Sequence, residues 1–357
     1  MGLVWLMDRQ EQGLAENSYT FTMEATADML LPKVISGELD IALLPANVAS
    51  VLYHKTDGGI TVIDINTLGV LYLMSSDHTI SSMEDLRGRT IYLTGMGTTP
   101  DFVLQYLLTE NGIALTDVTL EYKSEASEVA AYLAEYPEAV GLLPQPYATA
   151  LSMQNPDIGN VLDMTEEWSK VQGEGGGMLV TGVTVVRNEF LEEYPDAVSL
   201  FLQEHGQSAD YANANVSEAA ELTAHYGIVE KAAGAEKAIP YCNIVCLTGE
   251  EMKTALSGYL SVLGEFDSSF IGGGVPEDTF RIQTSAGPVS RIRLSTRLAA
   301  ICHTASQNKM TAARESAFFI TCQPPVRIQI TRCFESVLYA SPCRRYVRDM
   351  LMARSRT

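Results

Sequence analysis

Short apolar runs that stop at a proline organise the first 280 residues. Residues 41–44 form such a run, which ends at Pro45 and is followed at once by a helical pattern. This order predicts a buried strand joined directly to a helix. The unit returns at residues 139–149, where Leu-Leu-Pro appears again at 142–144. The repeat predicts two α/β lobes, each with a strand end and a helix start that face a shared cleft.

The rest of this region alternates strand and helix patterns. Strands are predicted at residues 19–24, 60–65, 69–74, 90–93, 118–122 and 180–187. Helices are predicted after them at residues 189–215, 217–226, 230–238 and 250–263. Two rounds of alternation followed by helices predict an α/β fold with two doubly wound lobes. Lobe 1 is predicted to comprise residues 1–72 and 182–280, and lobe 2 residues 73–181.

Charge divides the chain near residue 280. Residues 1–280 carry 11 Lys or Arg against 41 Asp or Glu, whereas residues 281–357 carry 13 against 3 and hold four of the six cysteines. This reversal and the loss of periodicity predict that residues 281–357 are an unstructured or non-native basic tail outside the fold. A nucleic-acid arm is the alternative, but the aromatic interleaving and module expected of one are missing.

The chain opens on a helical pattern at residues 3–14 instead of a strand. The first strand of a doubly wound lobe normally lies at the centre of its sheet. We therefore expect that strand to be missing, which would leave the strands at 19–24 and 40–44 without a neighbour. Asp8, Arg9 and Glu11 argue against a signal peptide, and no apolar run is as long as a membrane span.

No motif for catalysis or metal binding is present in the sequence. The five histidines are scattered, and neither HExxH, paired CxxC nor GxSxG occurs. Cys242 and Cys246 are interpreted as structural thiols rather than as a ligand pair. We therefore predict no catalytic residue, no metal and no cofactor.

The loop at residues 94–101 is the most informative candidate for ligand binding. It lacks the lysine of a P-loop and the third glycine of a dinucleotide fingerprint, which argues against a nucleotide. A helix N-terminus with two hydroxyls suits a carboxylate, sulfonate, phosphate or polar heteroatom, although an ordinary capped turn has the same pattern. Ligands of open α/β sheets bind at the carboxyl ends of strands. The candidate ligand-binding residues are Asn47, Thr98, Thr99, Ser124, Glu125, Gln145 and Tyr147 at such ends and, at the second crossover between the lobes, Thr181.

Two of these candidates keep alternative interpretations. Tyr147 either stacks on a flat ligand or packs its helix against the core. Glu125 either pairs with a cationic group of the ligand or is a solvated acid at a helix start.

Residues 1–280 resemble the solute-binding proteins of bacterial ABC transporters. The nearest group contains sulfonate, taurine, nitrate and thiamine-precursor binders and is related to the thiamine-pyrimidine (NMT1/THI5-like) proteins. The resemblance rests on residues 37–47 (GELDIALLPAN), 83–92 (MEDLRGRTIY), 142–146 (LLPQP) and 181–187 (TGVTVVR).

This resemblance implies a type II periplasmic-binding fold that closes on a small polar or anionic solute and docks on an ABC permease. It also implies an extracytoplasmic location, periplasmic or as a cell-surface lipoprotein, although the chain shows no export signal. An enzyme on the same fold, similar to a thiamine-pyrimidine synthase or a menaquinone-pathway dehydratase, is the alternative. The cysteine-rich motif of those synthases is missing, and nothing in the sequence favours nucleic acid as a partner.

Overall fold

The computed structural model describes residues 1–24, 27–173, 177–282 and 326–331. Within these residues the chain forms two mixed β-sheets that are flanked by helices, which confirms the predicted α/β class. The strands are β1 (Tyr19–Glu24), β2 (Ile41–Pro45), β3 (Ile60–Leu68), β4 (Leu71–Ser75), β5 (Thr90–Thr94), β6 (Thr119–Lys123), β7 (Val140–Pro144), β8 (Gly159–Asp163), β9 (Val180–Arg187), β10 (Ile244–Leu247) and β11 (Val326–Thr331).

Helices connect most consecutive strands and form the layers that cover the sheets. They are α1 (Val4–Glu11), α2 (Leu31–Ile35), α3 (Ala46–Lys55), α4 (Thr99–Glu110), α5 (Ala126–Glu135), α6 (Tyr147–Gln154), α7 (Met164–Gln172), α8 (Asn188–Glu193), α9 (Pro195–Ala214), α10 (Val216–His225), α11 (Ala232–Ala238) and α12 (Gly249–Phe266). Short 3-10 helices lie at Ala27–Met29, Met83–Leu86, Leu115–Asp117, Ile239–Tyr241, Ser268–Ile271 and Asp278–Phe280. No helix of the described ranges combines the length and apolarity needed to cross a bilayer.

The five strands of the second sheet have the same arrangement of directions as the first five strands of the first sheet. The first sheet has the order β1-β11-β2-β9-β3-β10, and the second has the order β6-β5-β7-β4-β8. In the second sheet β5 is parallel to both neighbours, whereas β4 is antiparallel to both of its own. In the first sheet β11 and β9 occupy the corresponding positions with the same directions. These sheet memberships support the proposed division into two lobes.

The structure corrects the expectation that the basic tail lies outside the fold. Residues 326–331 form β11, which lies between β1 and β2 at the position where the sequence pattern lacks a strand. Arg281 is also buried, and the backbone N–H of Ile282 donates to the carbonyl of Val62 on β3. The other residues assigned to the tail, 283–325 and 332–357, lie outside the described residues.

A buried carboxylate attaches β11 to the sheet. Asp40, just before β2, accepts three hydrogen bonds from Arg327: from the backbone N–H (3.0 Å), Nε (2.9 Å) and Nη2 (2.7 Å). Arg187, at the end of β9, reaches the same carboxylate at 3.4 Å. Val326 and Ile328 are buried on the strand itself. Backbone pairing, a charge-assisted contact and apolar burial therefore all hold this strand.

An aromatic cluster packs the C-terminal helix against the second lobe. Phe102 of α4 and Trp168 of α7 are fully buried, and Phe266 and Tyr259 of α12 contact them. The indole N–H of Trp168 donates to the carbonyl of Gly177 at 2.7 Å. This cluster belongs to a hydrophobic core that also includes residues of the first sheet. The two sheets are therefore joined by packing as well as by the chain.

Replacing Asp40 with alanine is expected to lower the free energy of unfolding by about 1.5–3 kcal/mol, the range for hydrogen bonds to charged groups. The change removes the shared acceptor of Arg187 and Arg327. Urea denaturation followed by circular dichroism measures the effect.

An exposed ion pair provides the control for this prediction. Arg87 pairs with Glu84 and Asp117 at the surface, so Arg87→Ala should cost about 0.2–1 kcal/mol. Equal, small losses for Asp40→Ala and Arg87→Ala would contradict the structural role of Asp40.

Candidate functional site

A two-residue crossover brings strand ends of the two sheets together. β3 ends at Leu68 in the first sheet, and β4 begins at Leu71 in the second. Asn243 holds this crossover, because its carbonyl accepts from the N–H of Leu68 (3.1 Å) and its Nδ2 donates to the carbonyl of Gly69 (2.6 Å). A Cβ atom on Gly69 would lie 2.3 Å from Thr165 Oγ1, so the close approach requires glycine.

The strand register places the two Leu-Leu-Pro units on either side of this crossover. Pro45, at the end of β2, pairs with Gly182 near the start of β9. Pro144, at the end of β7, pairs with Leu71 at the start of β4. The two units therefore end strands of different sheets, at the edges that the crossover joins. The interlobe cleft predicted from the sequence would have these strand ends as its floor.

Three predicted site residues lie at this floor with unused hydrogen-bonding groups. Asn47 is 6% exposed, Thr181 is 7% exposed and Gln145 is 1% exposed. Within the described residues, the side chains of Asn47 and Thr181 make no hydrogen bond, and Gln145 uses only Oε1, which accepts from Thr149 Oγ1 at 2.8 Å. In the described residues the fully buried side-chain atoms without a partner are Thr165 Oγ1 and Tyr226 OH, so the unused polar atoms of Asn47, Gln145 and Thr181 are not sealed off and stay accessible to water or to a ligand.

The loop before α4 is held in place by a buried aspartate. Asp101 accepts hydrogen bonds from the backbone N–H of Gly97 (2.7 Å), from Gln105 Nε2 (2.5 Å) and from the hydroxyl of Tyr122 on β6 (2.7 Å). Burial, together with the hydrogen bond to Asp101, raises the pKa of Tyr122. The sequence pattern assigns Asp101 only to the helix dipole, whereas the structure makes it the residue that fixes the loop.

Thr98 and Thr99 lie at the start of α4, as expected from the sequence, and both are buried. The N-cap position belongs to Thr98, whose hydroxyl donates to the carbonyl of Gly95. Thr99 is the first helical residue. The first backbone N–H groups of a helix lack partners within it, which is the property on which the predicted binding of an anionic or polar group at this N-terminus rests.

Ser124 and Glu125 lie at the same edge of the second sheet but farther from the crossover. They follow β6, the outermost strand, which is two strands away from β7. Strands are about 4.8 Å apart, so this places them roughly 10 Å from the end of β7. Both residues are exposed, and Glu125 accepts from Ser127 Oγ at 3.3 Å. The structure therefore does not bring them together with Asn47, Gln145 and Thr181.

Tyr147 is the first residue of α6 and is half-buried. It packs against a hydrophobic cluster that contains Tyr72 and Ala148. This position supports the packing interpretation of Tyr147 and leaves its stacking on a ligand as a prediction.

A second group of polar side chains was not expected from the sequence. Asp64 on β3, His205 on α9 and Cys246 on β10 have ligand atoms within 4.8 Å of one another. Burial, and next the carboxylate of Asp64, raises the pKa of the Cys246 thiol. Asp64 stands out in the sequence only as a charge within an apolar strand.

Known proteins of similar structure define the class. The chain is similar to an ABC transporter protein from Parabacteroides distasonis, with a TM-score of 0.63, 21% identity and coverage of 80% of this chain and 96% of that chain. The periplasmic aliphatic sulphonate binding protein SsuA from Escherichia coli gives a TM-score of 0.60, 12% identity and coverage of 78% and 91%. The alkanesulfonate-binding protein SsuA from Xanthomonas axonopodis pv. citri, bound to MOPS, gives a TM-score of 0.53 and 14% identity, with coverage of 77% of this chain and 90% of that chain. The chain has the fold of type II solute-binding proteins.

Sequence comparisons agree with the resemblance predicted above. Residues 12–143 match the family described as NMT1/THI5 like, so the resemblance predicted from the sequence is confirmed. A protein of Brucella abortus (strain 2308), provisionally named a binding protein, is 22% identical over 226 residues. That match covers 62% of this chain and 65% of the relative, so the chain spans less than two thirds of the relative's length.

Asp101→Ala should lower the free energy of unfolding by about 1–3 kcal/mol, because it removes the acceptor of three hydrogen bonds at a buried position. Tyr122→Phe removes one of these bonds and should cost about 0.5–1.5 kcal/mol. Urea denaturation of both variants measures the difference.

Asp196 is the matched control, because it is also an acid in the first turn of a helix but is exposed. Asp196→Ala should cost about 0.3–1 kcal/mol through the helix dipole alone. If Asp101→Ala costs no more than Asp196→Ala, Asp101 does not fix the loop.

Proposed function

We propose that this chain is the extracytoplasmic solute-binding subunit of an ABC importer. It captures a small polar or anionic organic solute, such as a sulfonate or a vitamin precursor, in the cleft between the two lobes. It then delivers the solute to a membrane permease. The observation that carries this proposal is the set of accessible amide and hydroxyl groups of Asn47, Gln145 and Thr181 near the crossover, which make few or no hydrogen bonds within the described residues.

The chemistry of these groups suits reversible binding. Amides and hydroxyls donate and accept hydrogen bonds without forming covalent intermediates, and they hold a polar ligand in a fixed orientation. The ammonium group of Lys123, at the end of β6, lies 5.4 and 4.9 Å from the ring centroids of Tyr92 and Tyr132, so this cation is already engaged by aromatic rings. An anionic solute is therefore bound mainly by neutral donors and by the N-terminus of α4.

The known proteins of similar fold support the same class of function. Two of them are named as sulfonate-binding proteins, and the Escherichia coli protein is also named as periplasmic. These names support a sulfonate or a related anion as the first solute to test, and an extracytoplasmic location.

A thermal-shift screen over sulfonates, vitamin precursors, amino acids and aromatic carboxylates identifies the solute, because a specific ligand stabilises the folded state by mass action. Asn47→Ala and Gln145→Ala should then each weaken binding by roughly 0.5–1.5 kcal/mol, since each removes hydrogen bonds from a different lobe. Isothermal titration calorimetry measures both affinities.

Gln203→Ala provides the control, because Gln203 is an exposed amide on α9. It should leave the affinity unchanged. If neither Asn47→Ala nor Gln145→Ala changes the affinity by more than roughly 0.5 kcal/mol, the range of ordinary surface substitutions, the cleft is not the binding site.

The enzyme alternative predicts a different fate for the solute. For a binding protein, a solute incubated with the chain at equal concentration should be recovered unchanged after the protein is denatured. Mass spectrometry of the supernatant tests this prediction. Conversion of the solute that is lost in Asn47→Ala would favour an enzyme at the same site.

A further inference from the structure

The cluster of Asp64, His205 and Cys246 brings three metal-binding atoms to one point outside the cleft floor. His205 Nδ1 is 3.1 Å from Asp64 Oδ2 and 4.0 Å from Cys246 Sγ. The three side chains come from two strands of the first sheet and from the long helix α9. A centre at this point would join these three elements.

The geometry differs from that of a nucleophile–histidine–acid triad. In a triad the nucleophile and the acid contact opposite nitrogens of the imidazole, so that the ring can move a proton between them. Here the thiol and the carboxylate both approach Nδ1. Convergence of one nitrogen, one oxygen and one sulfur atom on a single point is instead the arrangement of ligands around a metal ion.

The distances approach those of a zinc site. Zinc–ligand bonds of about 2.0–2.3 Å in a tetrahedron separate the ligand atoms by roughly 3.3–3.8 Å. The nitrogen–oxygen separation of 3.1 Å is shorter than this, the nitrogen–sulfur separation of 4.0 Å is longer, and all three atoms lie within 4.8 Å, so shifts of about 1 Å complete the site. Imidazole, thiolate and carboxylate together are a donor set that suits zinc.

Charge gives a reason for an ion to bind at this place. Asp64 is 0% exposed and His205 is 1% exposed. A buried carboxylate without a compensating charge is costly. A divalent cation with one carboxylate and one thiolate is electrically neutral, and binding releases the thiol proton to solvent. Cys246 is only partly buried, which leaves a path for the ion.

Neighbouring groups orient the ligands. The hydroxyl of Thr184 donates to Asp64 Oδ1 at 2.9 Å, and Asn66 Nδ2 donates to Thr184 Oγ1 at 3.1 Å, which leaves Oδ2 directed at the cluster. His205 also lines a cavity of about 40 Å³, together with Asn66 and Thr67. This volume holds a water molecule, which can accept a hydrogen bond from Nε2–H when Nδ1 binds a metal.

We propose that Asp64, His205 and Cys246 form a site for a divalent cation of the zinc type. Three protein ligands bind the ion, and water occupies the fourth position. The ion joins β3, β10 and α9 and stabilises the first sheet. This role is separate from solute binding in the cleft.

Cobalt titration tests the site, because a thiolate–Co²⁺ bond has a charge-transfer absorption in the near ultraviolet. The full-length chain is used with serine at the four tail cysteines, which could bind metal themselves: Cys302, Cys322, Cys333 and Cys343. This protein should bind one equivalent of Co²⁺ with that absorption, and Zn²⁺ should displace the cobalt. Absence of the absorption would overturn the proposal.

Cys242 is the matched control, because it lies four residues away and its sulfur contacts Met1 Sδ and the carbonyl of Ala238. Cys246→Ser should abolish the absorption and weaken Co²⁺ binding at least tenfold, whereas Cys242→Ser should leave both unchanged. Absorption that persists in Cys246→Ser, or that is lost equally in both variants, would overturn the assignment.

A measurement without ligand substitution covers the case in which Cys246→Ser does not fold. Zn²⁺ should slow alkylation of Cys246 at least tenfold, as followed by mass spectrometry of the peptides, and a chelator should reverse the protection. Cys242 in the same sample serves as the internal reference. Equal alkylation rates of Cys246 with and without Zn²⁺ would overturn the proposal.

Discussion

The crossover from β3 to β4 is the constraint on which the two-lobed arrangement depends. Only two residues separate strands that belong to different sheets, so the edges that contain Leu68 and Leu71 have to lie side by side. After β8 and α7 the chain returns from the second sheet to the first as β9, which is antiparallel to β2 and β3. In the first sheet β9 therefore runs against both of its neighbours, as β4 does in the second sheet. The polar residues that follow β2 and β7 meet at this junction because of that connection.

Elements with a strong local pattern could be predicted from the sequence. The strand at residues 180–187 has the predicted bounds, because its apolar, β-branched residues are bounded by a glycine-rich run and a helix start. Both Leu-Leu-Pro units end strands, since proline stops the ladder and favours the first turn of a helix. The predicted positions of Asn47 and Gln145 follow from the same signal, and that of Thr181 follows from the start of the strand at residues 180–187. Ser124 and Glu125 also follow a predicted strand, but sheet order, which no local pattern contains, places them at the outer strand.

Features that depend on distant pairing could not be predicted. β11 pairs with β1 and β2 across a sequence separation of 287 residues between Arg327 and Asp40. Asp64 and His205 are separated by 141 residues, and Cys246 and His205 by 41. Such pairs leave no periodic or spacing signal in a single sequence. The composition of residues 281–357 also predicts that the tail lies outside the fold. Charge and Arg content describe the whole segment and do not distinguish the six residues of β11 that pair in the first sheet.

The unused polar groups at the floor of the cleft connect the fold to ligand binding. Asn47 belongs to the first sheet's edge and Gln145 to the second's, so a ligand that bonds both has to be enclosed by both lobes. The side chains are less than a tenth exposed, so a ligand enclosed there replaces the few water contacts of their amides and hydroxyls. A polar solute restores those hydrogen bonds, which favours it over an apolar one. An apolar solute would leave the same amides without partners, and that penalty provides selectivity.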